Sequence, residues 1–417
     1  MISYRWPSFP EAALLRFPPV TAFTPNPALA GPDQPYPHAA VLSRAEGDRA
    51  RAMIGQWPGH APTPLVALPA LARESGVAEI RYKQEAGRFG LGSFKALGGA
   101  YAVARLLLRR IATGTGREAT VEELLDGRHA ALLRDVTVCC ATDGNHGRSV
   151  AWGARMFGCT CTIFVHATVS EARAGAIAAL GARVIRTAGN YDDSVREAAR
   201  MAAEQGWFVV SDTSWPGYAE VPRDVMQGYS VMAEETIGAL PVPPTHLFLQ
   251  GGVGGLAAAV AASFWEAYGP ARPVTVVVEP EAADCLRRSA AEGRPVTVEG
   301  DLETIMAGLA CGEPSMIAWP ILRDAATAFL AIPDSAAAET MRLLASGAAG
   351  PPLVAGESGV AGLAGFLSLP AERRAALGIG PDSRILCFGS EGATDPEAYR
   401  AIVGRPAETV AAGEIAR

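Results

Sequence analysis

The chain has 417 residues, 49% hydrophobic and 19% charged, with 36 Lys and Arg against 43 Asp and Glu for a formal net charge of −7. That is enough chain for two or three domains with sizeable cores. The acidic balance argues against nucleic acid or an anionic membrane as the main partner, and no apolar run approaches the ~20 residues that a spanning helix needs. The N-terminal segment sets Arg5 and Arg16 among Pro7, Pro10, Pro18 and Pro19, without the apolar stretch of a secretion signal. Seven cysteines include Cys139-Cys140 and the Cys159/Cys161 pair, which lie in apolar runs and match no metal spacing. They read as buried, reduced thiols of a cytoplasmic protein. No His-x-x-x-His pair occurs among the six histidines, so no metal site is expected.

Residues 1–60 are proline-rich and weakly periodic, and read as an arm on the surface with a helix near 43–56. From Ile80 onwards, apolar strand-like runs alternate with alanine-rich helical ones. Strands are expected at 135–142, 161–166, 182–188 and 207–212, separated by helices at 145–158, 170–181 and 190–206. A second series opens with a helix at 224–238, followed by strands at 245–250, 274–280 and 384–390. Short buried strands separated by helices predict mostly parallel sheets flanked by helices. Two such series predict an α/β protein of two domains with a cleft between them. The expected division is 1–87 as an arm plus part of the large domain, 88–212 as a small α/β domain, and 213–417 as the large domain.

Within this pattern "GLGSFKALGGAY" (90–101) places Lys95 among Phe94, Ala96, Leu97, Gly98 and Gly99, with no nearby acid in sequence. Apolar surroundings disfavour the charged amine. A neutral amine is a nucleophile suited to imine formation with an aldehyde. Taken alone, the segment also fits a helix-start lysine whose head reaches water.

Three loops follow expected strands, on the side where open parallel sheets bind ligands. "QGGVGG" (250–255) offers glycines and free N–H groups at a helix start, a cradle for a phosphate. It lacks both the P-loop lysine and the spaced dinucleotide fingerprint. "ATDGNHG" (141–147) puts Asp143, Asn145 and His146 at a helix start, where a single cap would explain one polar residue but not three. "CFGSEGATDP" (387–396) sends Ser390 and Glu391 off a strand end. A lysine nucleophile, a phosphate cradle without nucleotide features, an asparagine loop and a terminal serine together suit pyridoxal 5′-phosphate.

"GSFKALGGAY", "ATDGNHGRSVAW", "GGVGGL", "GSEGATDP" and "TPL" at 63–65 resemble the fold-type II pyridoxal-phosphate enzymes, the tryptophan synthase β-like group. "RYKQEAGRFGLGSFKALGGAYA", "SDTSWPGYAEVPRDVMQGY" and "GLACGEPS" most resemble the diaminopropionate ammonia-lyase family, over roughly residues 60–400. The resemblance implies a lyase of amino-acid catabolism that converts 2,3-diaminopropionate to pyruvate and two ammonia. It implies that Lys95 joins the cofactor aldehyde and that Asn145 meets its phenolic oxygen. Gly251, Gly252, Val253, Gly254 and Gly255 would hold the phosphate, and Ser390 would meet the pyridine nitrogen. Asp143 and Asp212 resemble active-site aspartates, and Tyr191 a substrate-side tyrosine. Glu357 and Ser358 in "AGESG" look like family positions without an assigned role. One departure stands out: a threonine is expected near Ser390 in the ammonia-lyase pattern.

The leaving group separates the family from its relatives. A carboxylate beside a second, charged amine gains Coulomb attraction in a closed site, and Asp143 and Asp212 are the candidates. Dehydratases of serine, threonine or 3-hydroxyaspartate are the alternative, with a non-catalytic cofactor-binding protein behind them. Little chain follows Ser390, so no C-terminal regulatory domain is expected. The fold type implies a homodimer.

Overall fold

The computed structural model describes residues 17–142, 144–189 and 191–413. Among the described residues, eleven strands form two sheets: β1 (Ala22–Pro25), β2 (Leu65–Ala67), β3 (Glu79–Gln84), β4 (Thr137–Thr142), β5 (Thr160–Val165), β6 (Arg183–Arg186), β7 (Phe208–Val209), β8 (His246–Gln250), β9 (Val274–Pro280), β10 (Ala328–Ile332) and β11 (Arg384–Gly389). The larger sheet runs β1-β10-β9-β8-β11-β3-β2 and the smaller β6-β5-β4-β7. All pairs are parallel except β1 with β10 and β2 with β3, at the two edges of the larger sheet. The α/β class with mostly parallel sheets flanked by helices is therefore as the sequence predicts.

Strands β8 and β10 are buried at every position, and β9 and β11 at all but the first. Such continuous apolar runs are what a sheet covered on both faces requires. One apolar core joins Val138, Ile163 and Leu249 of the two sheets to Leu97, Tyr101 and Phe264 of the helices between them. A second, with Tyr82, Val276, Leu330, Leu344 and Phe366, fills the opposite face of the larger sheet. Each such side chain contributes about 1.5–3 kcal/mol by leaving water.

The helices Lys95–Thr115 and Glu220–Ala239 cross in this shared core at van der Waals range of their backbones. A Cβ on Gly228 would lie 2.2 Å from the Leu97 carbonyl oxygen, and one on Gly98 would lie 2.2 Å from Tyr229 Cε1. Only glycine permits that crossing. Helix Glu220–Ala239 starts before the expected 224 because Pro222 is tolerated in a first turn.

From Phe17 to Ala40 the proline-rich N-terminal region is exposed or half-buried except at Asn26, as a surface arm is, and the helix expected near 43–56 is Arg44–Ile54, but the region is also tied into the fold. β1 pairs with β10 as an edge strand, and Leu42, Ile54 and Trp57 are buried. The Trp57 ring meets Trp152 and Phe157 edge-on at 5.8 and 5.7 Å. An edge strand tolerates proline because its outer side needs no ladder donor.

Candidate active site

Both sheets reverse their strand order once. In the larger sheet the chain moves outward from β8 through β9 to β10, then returns to place β11 on the other side of β8. In the smaller, it moves from β4 through β5 to β6 and returns with β7 beside β4. The crevice beyond the carboxyl ends of such strands is where ligands bind. Each crevice is spanned by a short hydrogen bond: Gln250 Nε2 donates to Ser390 Oγ at 2.6 Å, and His146 Nε2 donates to the Val210 carbonyl at 2.7 Å.

At the larger crevice the chain leaves β8 through Gly251–Gly255. Gly252 and Gly254 have φ of +65° and +99°, the left-handed region that glycine enters without strain. The Gly251 N–H bonds the Val278 carbonyl at 2.8 Å, while the Val253 carbonyl accepts from Ser315 N–H at 2.9 Å. The N–H groups of Gly252, Val253, Gly255 and Leu256 meet no acceptor among the described residues. They stand at the start of helix Gly255–Tyr268, where the dipole favours an anion. Beneath the loop, a Cβ on Gly251 would come within 2.5 Å of Glu279 Cγ. Burial pushes the Glu279 carboxyl up to about 8, although it accepts from Leu286 N–H and Arg287 N–H.

Ser390 is buried, and Gln250 Nε2 also donates to the Phe388 carbonyl at 2.8 Å. That second bond fixes the amide's orientation. Ser390 Oγ therefore accepts from Gln250 and keeps its own proton to give.

At the smaller crevice stand His146, in the first turn of helix Asn145–Phe157, and Asp212, just past β7. Lys95 opens its helix, where the dipole disfavours a cation, and its Nζ is paired with Asp212 Oδ2. His146 Nδ1 lies 3.8 Å from the same carboxylate oxygen. Burial pushes the Asp212 carboxyl up, but the Lys95 ammonium and His146 outweigh it and hold the group well below the usual carboxylate range. The chain has only one other lysine, Lys83. It is buried and donates to Glu235 and to the Thr63 carbonyl, each at 2.8 Å.

The two crevices meet. Phe94 N–H donates to the Ser390 carbonyl at 2.9 Å, and Ser93 bridges Glu391 in a one-residue antiparallel contact. Lys95 is thereby tied to the end of β11. From the other side, Asn145 Nδ2 donates to Glu391 Oε2 at 2.5 Å. A Cβ on Gly255 would lie 3.9 Å from the Asp212 carbonyl oxygen. Lys95, Asn145, Asp212, Gly251–Gly255 and Ser390 thus converge on one place. Tyr191 begins the helix Tyr191–Gln205 after the carboxyl end of β6, half-buried. Asp143 lies outside the described residues.

Glu357 and Ser358 pack against this junction. Ser358 N–H donates to Glu391 Oε1 at 2.9 Å, and Ser358 Oγ accepts from Gly308 N–H at 3.0 Å. Burial, then the neighbouring Glu391 carboxylate, pushes Glu357 up to about 7. Glu391, Gln250 and Tyr229 escape sequence reasoning as site residues. Glu391 and Gln250 each adjoin a residue the motifs mark, whereas Tyr229 carries no local signal.

The sequence model of the family described as "Pyridoxal-phosphate dependent enzyme" matches residues 56–391. Diaminopropionate ammonia-lyase of Escherichia coli (strain K12) is 40% identical over 382 residues, 89% of this chain and 94% of that protein. The crystal structure of the Escherichia coli enzyme in complex with D-serine superposes with a TM-score of 0.84 at 37% identity, covering 93% of this chain and 97% of that one. The same enzyme in complex with an aminoacrylate-PLP azomethine reaction intermediate gives 0.82 at 38% identity, covering 92% and 96%. The chain belongs to the fold-type II pyridoxal-phosphate dependent enzymes and, within them, to the diaminopropionate ammonia-lyase family.

Proposed function

We propose that this chain is a pyridoxal-phosphate-dependent ammonia-lyase that eliminates both amines of 2,3-diaminopropionate as ammonia and leaves pyruvate. The residues present fit the cofactor. Four unpaired N–H groups at a glycine turn suit its phosphate, the Ser390 proton suits an unprotonated pyridine nitrogen, and the Lys95 amine suits its aldehyde. One observation carries the reading most directly: the only accessible lysine amine is paired with the ionised carboxylate of Asp212, whose carbonyl oxygen lies beside the cradle at Gly255.

Bound pyridoxal phosphate supplies an electron sink for the charge that develops when the substrate Cα–H bond breaks. Gly252, Val253 and Gly255 hold its phosphate through their N–H groups. Ser390 donates to the ring nitrogen without protonating it, a weaker sink than an aspartate partner gives and one suited to elimination. Asn145 would meet the ring's phenolic oxygen. Lys95 would hold the aldehyde, and its free amine would take the α-proton of the L-isomer as general base. Asp143 is the base proposed for the D-isomer. Asp212, held ionised, balances the positive charge on Lys95 and would attract the substrate's β-ammonium in a site of reduced dielectric. Tyr191 borders the substrate. The small unit 88–212 closes over it against 213–417, with 1–87 as the arm and the rest of the large unit, in a homodimer of the cytoplasm. No helix among the described residues is long and apolar enough to cross a membrane.

Pyruvate release on a panel of both isomers of diaminopropionate, serine, threonine and 3-hydroxyaspartate tests the reading. Diaminopropionate should exceed every hydroxy substrate in kcat/KM by at least about a hundredfold, the discrimination a site built for a charged group reaches. A hydroxy amino acid turned over faster would assign the chain to the dehydratases instead.

A further inference from the structure

Tyr229 is the buried polar group that the mechanism above leaves unused. It sits in the middle of helix Glu220–Ala239 and is 1% exposed. Its hydroxyl makes no well-formed hydrogen bond among the described residues, and the polar group beside it is the Lys95 amine. A buried phenol normally finds one, and an orphaned hydroxyl is destabilising relative to a phenylalanine of the same shape.

The ring lies in a slot cut by glycines. Gly98 admits one edge: a Cβ there would lie 2.2 Å from Cε1 and 2.8 Å from Cζ. Gly255 faces the other edge, where a Cβ would sit 3.8 Å from Cε2. Phe94 packs on the ring at 4.6 Å between centroids. The hydroxyl therefore points into the gap between the starts of two helices, one opened by Lys95 and the other by Gly255 of the anion cradle. Lys95 Nζ is 5.8 Å from the ring centroid. Burial pushes the phenol well above its usual value, so it stays neutral across the working pH range.

A neutral phenol and an ionised carboxylate offer an amine different things. Asp212 only accepts, and so favours the ammonium. The phenol can accept an N–H and still donate its own proton elsewhere. We propose that Tyr229 is a positioning residue for Lys95: its oxygen accepts an N–H from the lysine amine whenever that amine swings off Asp212, and its proton goes to the anion at Gly255. This rests on the lyase reading above for its catalytic consequence, although the contact itself does not. The acceptor would hold the released amine within reach of the reacting carbon, with its lone pair free. Other groups around Lys95 are Asp212, with His146 and the Tyr218 phenol behind it, and the Cys140 thiol on the small-sheet side.

The test uses Tyr229→Phe, which keeps the slot filled, with Tyr229→Leu as the variant that disturbs packing. Cyanate modifies neutral amines, and only two lysines exist, one of them buried, so peptide mass analysis follows Lys95 alone. On full-length protein freed of cofactor, carbamylation of Lys95 is measured against pH. An acceptor stabilises the ammonium more than the amine, so its loss should move the Tyr229→Phe profile to lower pH by half a unit or more. The holoenzyme should lose about tenfold in kcat on diaminopropionate with KM unchanged, the cofactor-free variant should bind inorganic phosphate more weakly for want of the phenol proton, and the thermal midpoint should stay level or rise. An unshifted carbamylation profile, a shift upward, or a Tyr229→Phe loss no different in kind from that of Tyr229→Leu would overturn the proposal. Wild-type protein inert on diaminopropionate but showing the shift would sink the lyase reading and leave the contact standing.

Discussion

The two crevices share one topology and solve opposite electrostatic problems. At β8/β11 the chain presents backbone N–H groups and a hydroxyl, with the one acid beneath them, Glu279, pushed towards its neutral form. At β4/β7 it presents an imidazole and a carboxylate, with the acid held ionised by Lys95. The first is built to receive an anion, and a charge on Glu279 would repel it. The second is built to hold and release protons. The difference follows from what leaves each strand: glycines that expose the backbone after β8, and polar side chains at a helix start after β4. Burial separates them too. Strand β8 is buried throughout, whereas β6, at the edge of the small sheet, is exposed or half-buried at every position.

Removing one function from each crevice should break the comparison most sharply. Lys95→Ala should lower turnover at least about a thousandfold, the scale seen when a group acting in the bond-breaking step is lost. Its affinity for inorganic phosphate should hold. Gly254→Val should do the reverse. Valine at φ +99° is strained, and its Cβ would press to 3.1 Å from Leu322 Cδ1 and 3.3 Å from Ala318 Cβ. A cost of about 1–3 kcal/mol weakens phosphate and cofactor binding roughly tenfold to a hundredfold, with kcat of the loaded enzyme largely kept. Isothermal titration and saturation kinetics on both variants check this. A Lys95→Ala protein that also loses phosphate would mean that the two crevices are not separable.

The pH dependence of stability sharpens the contrast because its sign differs. Glu279 is raised from an ordinary 4.5 to about 8. Its contribution is therefore fully present below about pH 4.5 and is lost as pH rises through 8, with an upper bound of about 5 kcal/mol. Glu279→Gln should flatten that fall. The amide opposes one of the two backbone donors at all pH values, so the slope of denaturation free energy against pH is the readout. Asp212 is depressed, so its contribution is present above about pH 3.8 and is lost as pH falls towards the depressed value. Asp212→Asn should cost about 1–3 kcal/mol at neutral pH by removing the carboxylate that pairs with Lys95, and nothing in strong acid. Parallel slopes in the two variants would contradict the assignment.

Much of this was legible because it is local. Val274–Pro280 reads as a strand from five β-branched residues in seven, and its observed bounds are the expected ones. Lys95 opens its helix where the glycine-rich elbow ends. β10 and the helices Ala318–Ala325 and Asp334–Ser346 lack comparable signals, since alanine-rich sequence suits helix and buried strand alike. β1 and β2 are too short for periodicity and exist through partners far along the chain. The site divides in the same way. Glycines, Lys95, Asn145 and Ser390 announce themselves in motifs. The Asn145–Glu391 bond and the burial of Tyr229 against Gly98 arise only when distant segments pack, which no spacing encodes.

The smallest expected effect concerns the seam between the halves. Ser170 caps helix Glu171–Ala178 on the small-sheet side through Arg173 N–H at 3.3 Å, and its hydroxyl donates to Asp395 Oδ2 at 2.9 Å. Asp395 in turn caps helix Pro396–Val403 on the large-sheet side and lies 3.5 Å from Arg173 Nε. Ser170→Ala should cost about 1 kcal/mol in thermal or chemical denaturation, the usual worth of a cap. Ser170→Asp distinguishes cap from clasp. Aspartate caps a helix as well as serine does, but it faces Asp395 with a like charge instead of a donor. If the cap alone matters, Ser170→Asp should match wild type in stability and in KM. If the clasp holds the small sheet against the β11 loop, Ser170→Asp should be no more stable than Ser170→Ala. Its KM should also rise, because the carboxyl ends of β4 and β7 would no longer be held against those of β8 and β11.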